Sequence, residues 1–154
     1  MPSSSNLHRP ASGRDVVQPV YTGTLNGQPL RFFKAPRPGP HLLWHAADDL
    51  FHCFDLPRGL RRHFKQQLQK QYQADIETVA TPDGIVTLAP HWMAQGFIES
   101  MQDLGRAPRG TLMAYAKEAT KAWNSSTGDL PPGASFEKMV AAFRNTNGIE
   151  GGAA

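Results

Sequence analysis

The chain has a single cysteine and no long apolar run, and each shortage excludes a class of structure. With Cys53 alone, no disulfide can form within the chain, and a zinc site built from several cysteines is excluded. No apolar run approaches the ~20 residues that a membrane-spanning helix needs. The N-terminal residues also lack the apolar core of a secretory signal, so we expect a cytoplasmic protein with no membrane partner.

The sequence also lacks the short motifs that mark common enzymes. It contains no G-x-S-x-G nucleophile elbow, no G-x-x-x-x-G-K-[ST] phosphate loop and no G-x-G-x-x-G dinucleotide loop. Cys53 lies between His52 and Phe54 without a nucleophile pattern, and we interpret it as a small buried hydrophobic residue. We therefore expect no catalytic activity and no cofactor.

What is present fits one small domain. The chain has 154 residues, 40% of them hydrophobic, and its 14 glycines and 13 prolines favour many loops over long helices. Composition shifts along the chain divide it into four parts. They are a disordered arm over 1–18, an α+β core domain over 19–105, a helical C-terminal extension over 106–147 and a flexible tail over 148–154.

Two β-hairpins are predicted. Asn26-Gly27 separates β-prone runs at 20–25 and 29–34, and this dipeptide suits a type I′ turn because both central residues take positive φ. A second turn at Thr81-Pro82-Asp83-Gly84 separates runs at 75–80 and 85–89. The segment 41–45 fits either a third short strand or the entry to the next helix.

Helical periodicity accounts for most of the remaining chain. Helices are predicted over 46–56, 58–73 and 90–104, from Thr111 onward and from Ser135 onward, with Pro57 and Gly105 as boundaries. The last helix carries an apolar stripe of Phe136, Met139, Val140 and Phe143, and we expect the helices over 111–144 either to pack on the core or to serve self-association. The whole predicts an α+β fold with two hairpins and four to five short helices.

The segment 57–73 is the most distinctive stretch. It holds five cations and no acid, so the remainder of a chain of net charge +3 is net acidic. Leu60, Phe64, Leu68 and Tyr72 recur every four residues, which predicts one apolar stripe along a helix. The cations Arg58, Arg61, Arg62 and Lys65 follow the i, i+3, i+4, i+7 pattern on another face.

Such a face suits nucleic acid, since lysine and arginine neutralise phosphates and an arginine fork reaches base edges. The short helix before it resembles the first half of a helix-turn-helix. The alternatives are a merely solvated helix face or a face that recognises an acidic protein. The predicted nucleic-acid-binding residues are Arg58, Arg61, Arg62, Lys65, Gln69, Arg106 and Arg109, with Arg9 and Arg14 of the arm as further anchors or part of a solvated tail.

Two other sets of side chains offer weaker signals. His41, His45, Asp49 and His52 are spaced four, four and three residues apart, which would allow a metal site if one helix carried them. Capping and polar roles explain these histidines better, and we predict no metal. Trp44, Trp92 and Trp123 are able to stack on bases, but their apolar surroundings favour packing in the core.

The order of elements over about 21–101 resembles the N-terminal domain shared by phage antirepressors and viral BRO proteins. The matching positions are Gly27-Gln28-Pro29-Leu30-Arg31-Phe32, Trp44 with 46–49, Leu56, 61–63 and 84–88. The resemblance implies DNA binding by this domain, or antagonism of a repressor through protein contact, followed by a variable C-terminal region.

Together these observations predict a DNA-binding regulatory protein of phage or mobile-element type, which uses the helix over 58–73. One alternative is a protein-binding inhibitor or antirepressor module without enzymatic activity. Another is a viral assembly or structural component. A homodimer is compatible with each of these functions.

Overall fold

The computed structural model describes residues 16–146, and both predicted hairpins are present. Strands β1 (Tyr21–Leu25) and β2 (Gln28–Phe33) are joined by Asn26 and Gly27, whose φ values of 52° and 80° are those of the expected turn. Strands β4 (Glu77–Thr81) and β5 (Gly84–Ala89) form the second hairpin, in which the Thr81 hydroxyl donates to the Gly84 carbonyl at 2.7 Å.

A third strand, β3 (Trp44–Ala46), unites the two hairpins into one sheet. The strand order is β1-β2-β3-β5-β4, and every neighbouring pair is antiparallel. The end of the segment 41–45 is therefore a strand, which was the first of its two interpretations. This strand continues directly into a helix. The sheet and the helices listed below make a single α+β domain, as predicted.

Among residues 16–146, five helices accompany the sheet. They are α1 (Ala47–His52), α2 (Arg58–Gln71), α3 (His91–Asp103), α4 (Thr111–Ser126) and α5 (Pro132–Thr146), with one 3-10 turn at Gln73–Asp75. The prediction of a helix over 46–56 was too long, because α1 stops at His52 and Pro57 precedes α2 instead of ending α1. Within the described residues, no helix is long and apolar enough to cross a lipid bilayer.

The short β3 leaves a gap in the sheet, and α1 occupies it. Beyond the three residues of β3, the backbones of β2 and β5 have no strand between them. Asp49 accepts a hydrogen bond from Arg31 N of β2 at 3.0 Å, and Asp48 accepts one from Thr87 N of β5 at 2.8 Å. Two consecutive carboxylates thus satisfy backbone donors that a longer β3 would have bonded.

The larger part of the core lies between one face of the sheet and the helices. Tyr115 of α4 is 1% exposed and packs against Phe32 of β2, with ring centroids 6.1 Å apart. The cluster also includes Leu25, Leu30, Leu50, Phe54, Ala94, Ile98, Met101 and Ala122. Because α4 supplies two of these residues, the first helix of the predicted extension over 106–147 packs on the core.

The opposite face of the sheet is covered by the N-terminal segment and a loop. Phe33, Trp44 and Leu88 form a buried cluster there, against which Val17 packs. Val17 N donates to the Ala80 carbonyl at 2.8 Å, so residues 16–18 of the predicted arm lie on the sheet. The rest of that arm, with Arg9 and Arg14, and the predicted tail over 148–154 lie outside the described residues.

The apolar stripe of the last helix is covered only in part. Phe136 is 66% exposed and Phe143 51% exposed, whereas Met139 is half-buried and Ala142 is 1% exposed. Ala142 follows Met139 by three residues and therefore shares its side of α5, which is the side that faces the protein. Large apolar side chains such as Phe136 remain at the surface.

Candidate nucleic-acid interface

Helix α2 carries the predicted two faces. Pro57 precedes it, and the Pro57 carbonyl accepts hydrogen bonds from Leu60 N and Arg61 N at 3.0 Å. Leu60, Phe64 and Leu68 form the inner line and are only half-buried, so α2 contains no fully buried residue. The apolar stripe therefore faces the protein as predicted, although it is covered incompletely.

The predicted contact residues of α2 share one continuous surface. With about 100° between successive residues of an α-helix, the order around the axis is Arg61, Lys65, Arg58, Gln69 and Arg62. Arg61 is half-buried beside the inner stripe, and the other four residues are exposed. The exposure of this face thus increases from the side next to the protein to the side that is turned to solvent.

The two cations nearest the protein are bonded to α1. Lys65 Nζ lies 2.7 Å from Asp48 Oδ2, and Arg61 Nη1 lies 3.2 Å from His52 Nδ1. The lysine side chain is 47% exposed, so this ion pair adds little to stability. The contact does position Lys65, because Asp48 is itself fixed by its bond to the backbone of Thr87.

Arg58 and Arg62 are in a different situation. Both are exposed, and neither side chain has a hydrogen-bond or ion-pair partner among residues 16–146. Gln69, between them around the helix, is exposed as well. These three side chains are available to an external ligand without breaking any contact within the described part of the chain.

Arg106 and Arg109 lie in the loop between α3 and α4. Gly105, with φ of 73°, ends α3 in a Schellman motif, in which Arg106 N donates to the Met101 carbonyl at 2.8 Å. Tyr72 contacts Trp92 and Phe64 contacts Phe97, so α3 runs antiparallel to α2 and ends where α2 begins. Both arginines are exposed, in a loop that starts on that side of the molecule.

The arrangement of α1 and α2 differs from a helix-turn-helix. Helix α1 has only six residues and fills the gap between β2 and β5, so it is a part of the sheet layer. The connection from Cys53 to Pro57 buries Cys53, Phe54 and Leu56. Helix α2 therefore packs against α1 and α3, and it lacks a directly preceding helix of comparable length.

The four residues of the possible metal corner do not converge. His45 is buried in β3, Asp49 bonds Arg31, His52 contacts Arg61, and His41 Nε2 lies 3.1 Å from the Pro38 carbonyl. No group of three or more potential metal ligands occurs in the part of the chain that the structure describes. A metal site at this spacing required one helix to carry these residues, but His45 lies in strand β3.

Sequence reasoning missed the role of Asp48 and Asp49. Asp49 accepts hydrogen bonds from Arg31 Nε at 2.8 Å and from Arg31 Nη2 at 2.9 Å. These two bonds raise the pKa of the guanidinium above its ordinary value. Asp48 and Asp49 lie in the first turn of α1, where a carboxylate interacts favourably with the helix dipole. No local sequence signal indicates that they also bond the backbones of β5 and β2.

Cys53 is unsuited to nucleophilic chemistry. Its side chain is buried, and burial together with Asp49 raises the pKa of the thiol to about 12. Trp44 and Trp123 are also buried, in agreement with the packing role expected of them, and Trp92 is 38% exposed. Trp92 reaches the surface beside Tyr72, next to the C-terminal end of α2.

No family model, curated protein or solved structure matches this chain.

Proposed function

We propose that this protein is a DNA-binding regulatory protein of phage or mobile-element type, without enzymatic activity, that contacts DNA through α2. One observation carries the proposal. Arg58, Gln69 and Arg62 form a continuous exposed surface, and the two arginines have no partner within residues 16–146. Because the two arginines bind no group in that part of the protein, their charges are available to an external anion.

The chemistry of these side chains suits a duplex. A guanidinium fork binds phosphate or the O6 and N7 atoms of guanine in two parallel hydrogen bonds, and a glutamine amide matches adenine in the same way. An α-helix about 10–12 Å across fits the major groove, which is about 12 Å wide. Lys65 and Arg61, held by α1, would contact the adjoining phosphates, and Arg106 and Arg109 would add anchors beyond the start of α2.

The direct test is binding to a labelled duplex of mixed sequence at several salt concentrations. Because each neutralised phosphate contributes about 0.9 to the slope of log K against log salt, four phosphate contacts predict a slope near −4. Binding that does not depend on salt, or no binding to either duplex or single strand, would exclude the proposal.

A second candidate is a protein-binding inhibitor of the antirepressor kind or an assembly component, and α5 favours it. Phe136 and Val140 expose apolar surface on one side of this helix, which is more typical of a protein contact than of a DNA contact. A pull-down from host lysate with and without nuclease separates the two functions. A partner that persists after nuclease and is lost on Phe136→Ser/Val140→Ser supports the protein-binding function through α5. Light scattering reports whether the protein forms a homodimer.

A further inference from the structure

An apolar groove of about 470 Å³ lies between α4 and α5. The residues that line it come from these two helices and from the segment before β3, and they include Leu42, Leu43, Ala119, Trp123, Met139 and Phe143. The volume falls within the range of about 300–1,000 Å³ that is usual for sites that enclose a bound group. A large apolar side chain from another molecule therefore fits between the two helices.

The outward side of α5 carries an apolar stripe that adjoins this groove. Phe136 is 66% exposed, Phe143 is 51% exposed and Val140 is 38% exposed. We call these three residues the outer stripe. Val140 and Phe143 line the groove, whereas Phe136 lies two turns before Phe143 and is not among the lining residues. Exposed apolar side chains that are grouped in this way are typical of a protein contact.

Two side chains of opposite charge lie beside the outer stripe. Glu137 and Arg144 are seven residues apart, so they lie on the same side of the stripe, two helical turns from each other. Both are exposed, and neither has an ion-pair or hydrogen-bond partner among residues 16–146. Arg144 also lines the groove, and none of the described lining residues is Asp or Glu. The groove thus favours an apolar group that is accompanied by an acid.

The positions of these residues make α5 complementary to a second copy of itself. In an antiparallel pair centred on Val140, residues before the centre face residues after the centre of the other helix. Phe136, four residues before the centre, then meets Phe143, three residues after it, at the groove of the second copy. Glu137, three residues before, meets Arg144, four residues after. Two-fold symmetry repeats each contact, whereas a parallel pair would place like charges together.

We propose that this protein forms a two-fold symmetric homodimer in which the α5 helices of two copies pack antiparallel. Phe136 of each copy enters the groove between α4 and α5 of the other copy. The Glu137 carboxylate of each copy pairs with the Arg144 guanidinium of the other, and this pairing sets the antiparallel orientation. The proposal does not depend on DNA binding, because no residue of α2 takes part in the contact.

Sedimentation equilibrium of the full-length protein tests for the dimer. Interfaces that bury less than about 1,200 Å² in total are weak, so for this small stripe we expect a monomer–dimer equilibrium with a Kd of about 10–100 µM. A protein that is still monomeric at about 500 µM would overturn the proposal and would leave α5 to a different protein. Assembly beyond the dimer would overturn it as well, because a two-fold contact closes.

Two substitutions locate the contact. Phe136→Ser removes the side chain that enters the groove and should raise the Kd of the dimer by about tenfold or more. The control Met113→Ser removes a side chain of α4 that is 67% exposed and does not line the groove, and it should associate as the wild type does. Both positions are mainly exposed, so both variants should fold, which circular dichroism checks. Association of Phe136→Ser with the Kd of the wild type would refute the contact.

An exchange of charge tests the antiparallel orientation. Glu137→Arg brings two arginines together at each of the two contacts, and Arg144→Glu brings two glutamates together. Each variant alone should dimerise about tenfold more weakly than the wild type, because two exposed ion pairs become repulsive. An equimolar mixture of the two variants restores opposite charges at both contacts and should form heterodimers with the Kd of the wild type. A mixture that associates no better than either variant alone would overturn the antiparallel pairing.

Discussion

Two neighbouring stretches of this chain use their charged side chains in opposite ways. From Trp44 to His52, through β3 and α1, six of nine residues are buried, and both acids are bonded within the protein. From Arg58 to Gln71, along α2, no residue is buried, and the outermost arginines are without a partner among the described residues. We call these stretches the closed region and the open region.

The difference shows that charge acquires a role from its surroundings. In the closed region, Asp48 and Asp49 replace the missing part of β3 as acceptors for backbone N–H groups of β5 and β2. Their removal would leave buried donors unsatisfied, which is expensive. In the open region, Arg58 and Arg62 satisfy no group within residues 16–146, so stability gives no reason for their presence.

The largest effect is expected from breaking the closed region at Asp49. Asp49→Ala removes three hydrogen bonds from Arg31 and leaves its guanidinium with the long 3.8 Å contact to the exposed Asp83 as its ion pair, and we expect a loss of about 3 kcal/mol in the free energy of unfolding. Urea denaturation measures the change. The control Asp55→Ala, at an exposed position, should stay within about 0.5 kcal/mol of the wild type. Equal stability of the two variants would remove the distinction between the regions.

A pH titration tests the closed region at His45. Its folded-state pKa of about 3 lies below the ordinary value of 6.5, so the unfolded chain takes up the proton first. This contribution to stability is complete above pH 6.5 and is lost as pH falls toward 3. Between pH 7.5 and 5 we expect a loss of about 2 kcal/mol from His45.

His45→Gln is the comparison for that titration. Burial also lowers the pKa of His91, so some dependence of the same sign remains in the variant. The wild type should nevertheless lose more stability than His45→Gln over the same interval. Parallel curves would mean that His45 is protonated equally readily in both states, contrary to its burial in the structure.

The smallest effect concerns the ion pair at the boundary of the two regions. Lys65→Met should change the free energy of unfolding by less than about 0.5 kcal/mol, because the lysine is half-exposed. Asp48→Ala should cost more, since it also leaves Thr87 N without an acceptor. If the two substitutions cost the same, the structural role of Asp48 would reduce to its salt bridge.

Local chemistry allowed much of the fold to be predicted. The turn at Asn26-Gly27 and the end of α3 at Gly105 depend on which residues tolerate positive φ, and a short stretch of sequence contains that information. The four-residue spacing of Leu60, Phe64 and Leu68 likewise predicts which side of α2 faces the protein.

The remainder depends on neighbours that are distant in the chain. Asp48 meets Thr87 across 39 residues and Lys65 across 17, so no local pattern indicates these contacts. The stripe on α5 indicates an amphipathic helix, but it does not tell how much of that stripe another element covers, and Phe136 and Phe143 remain exposed. For the candidate site, periodicity places the cations on one face. Which of them are bonded within the described residues depends on α1, which binds Lys65 and Arg61.

The central claim is that the outer arginines of α2 serve a ligand and not the fold. The most direct test measures, for Arg58→Ala/Arg62→Ala, both the free energy of unfolding and the salt dependence of duplex binding. Lys117→Ala/Lys138→Ala, at exposed positions of α4 and α5, is the control with the same change in charge. We predict unchanged stability and a slope shallower by about 2 for the arginine variant alone. A loss of stability, or equal slopes in the two variants, would contradict the claim.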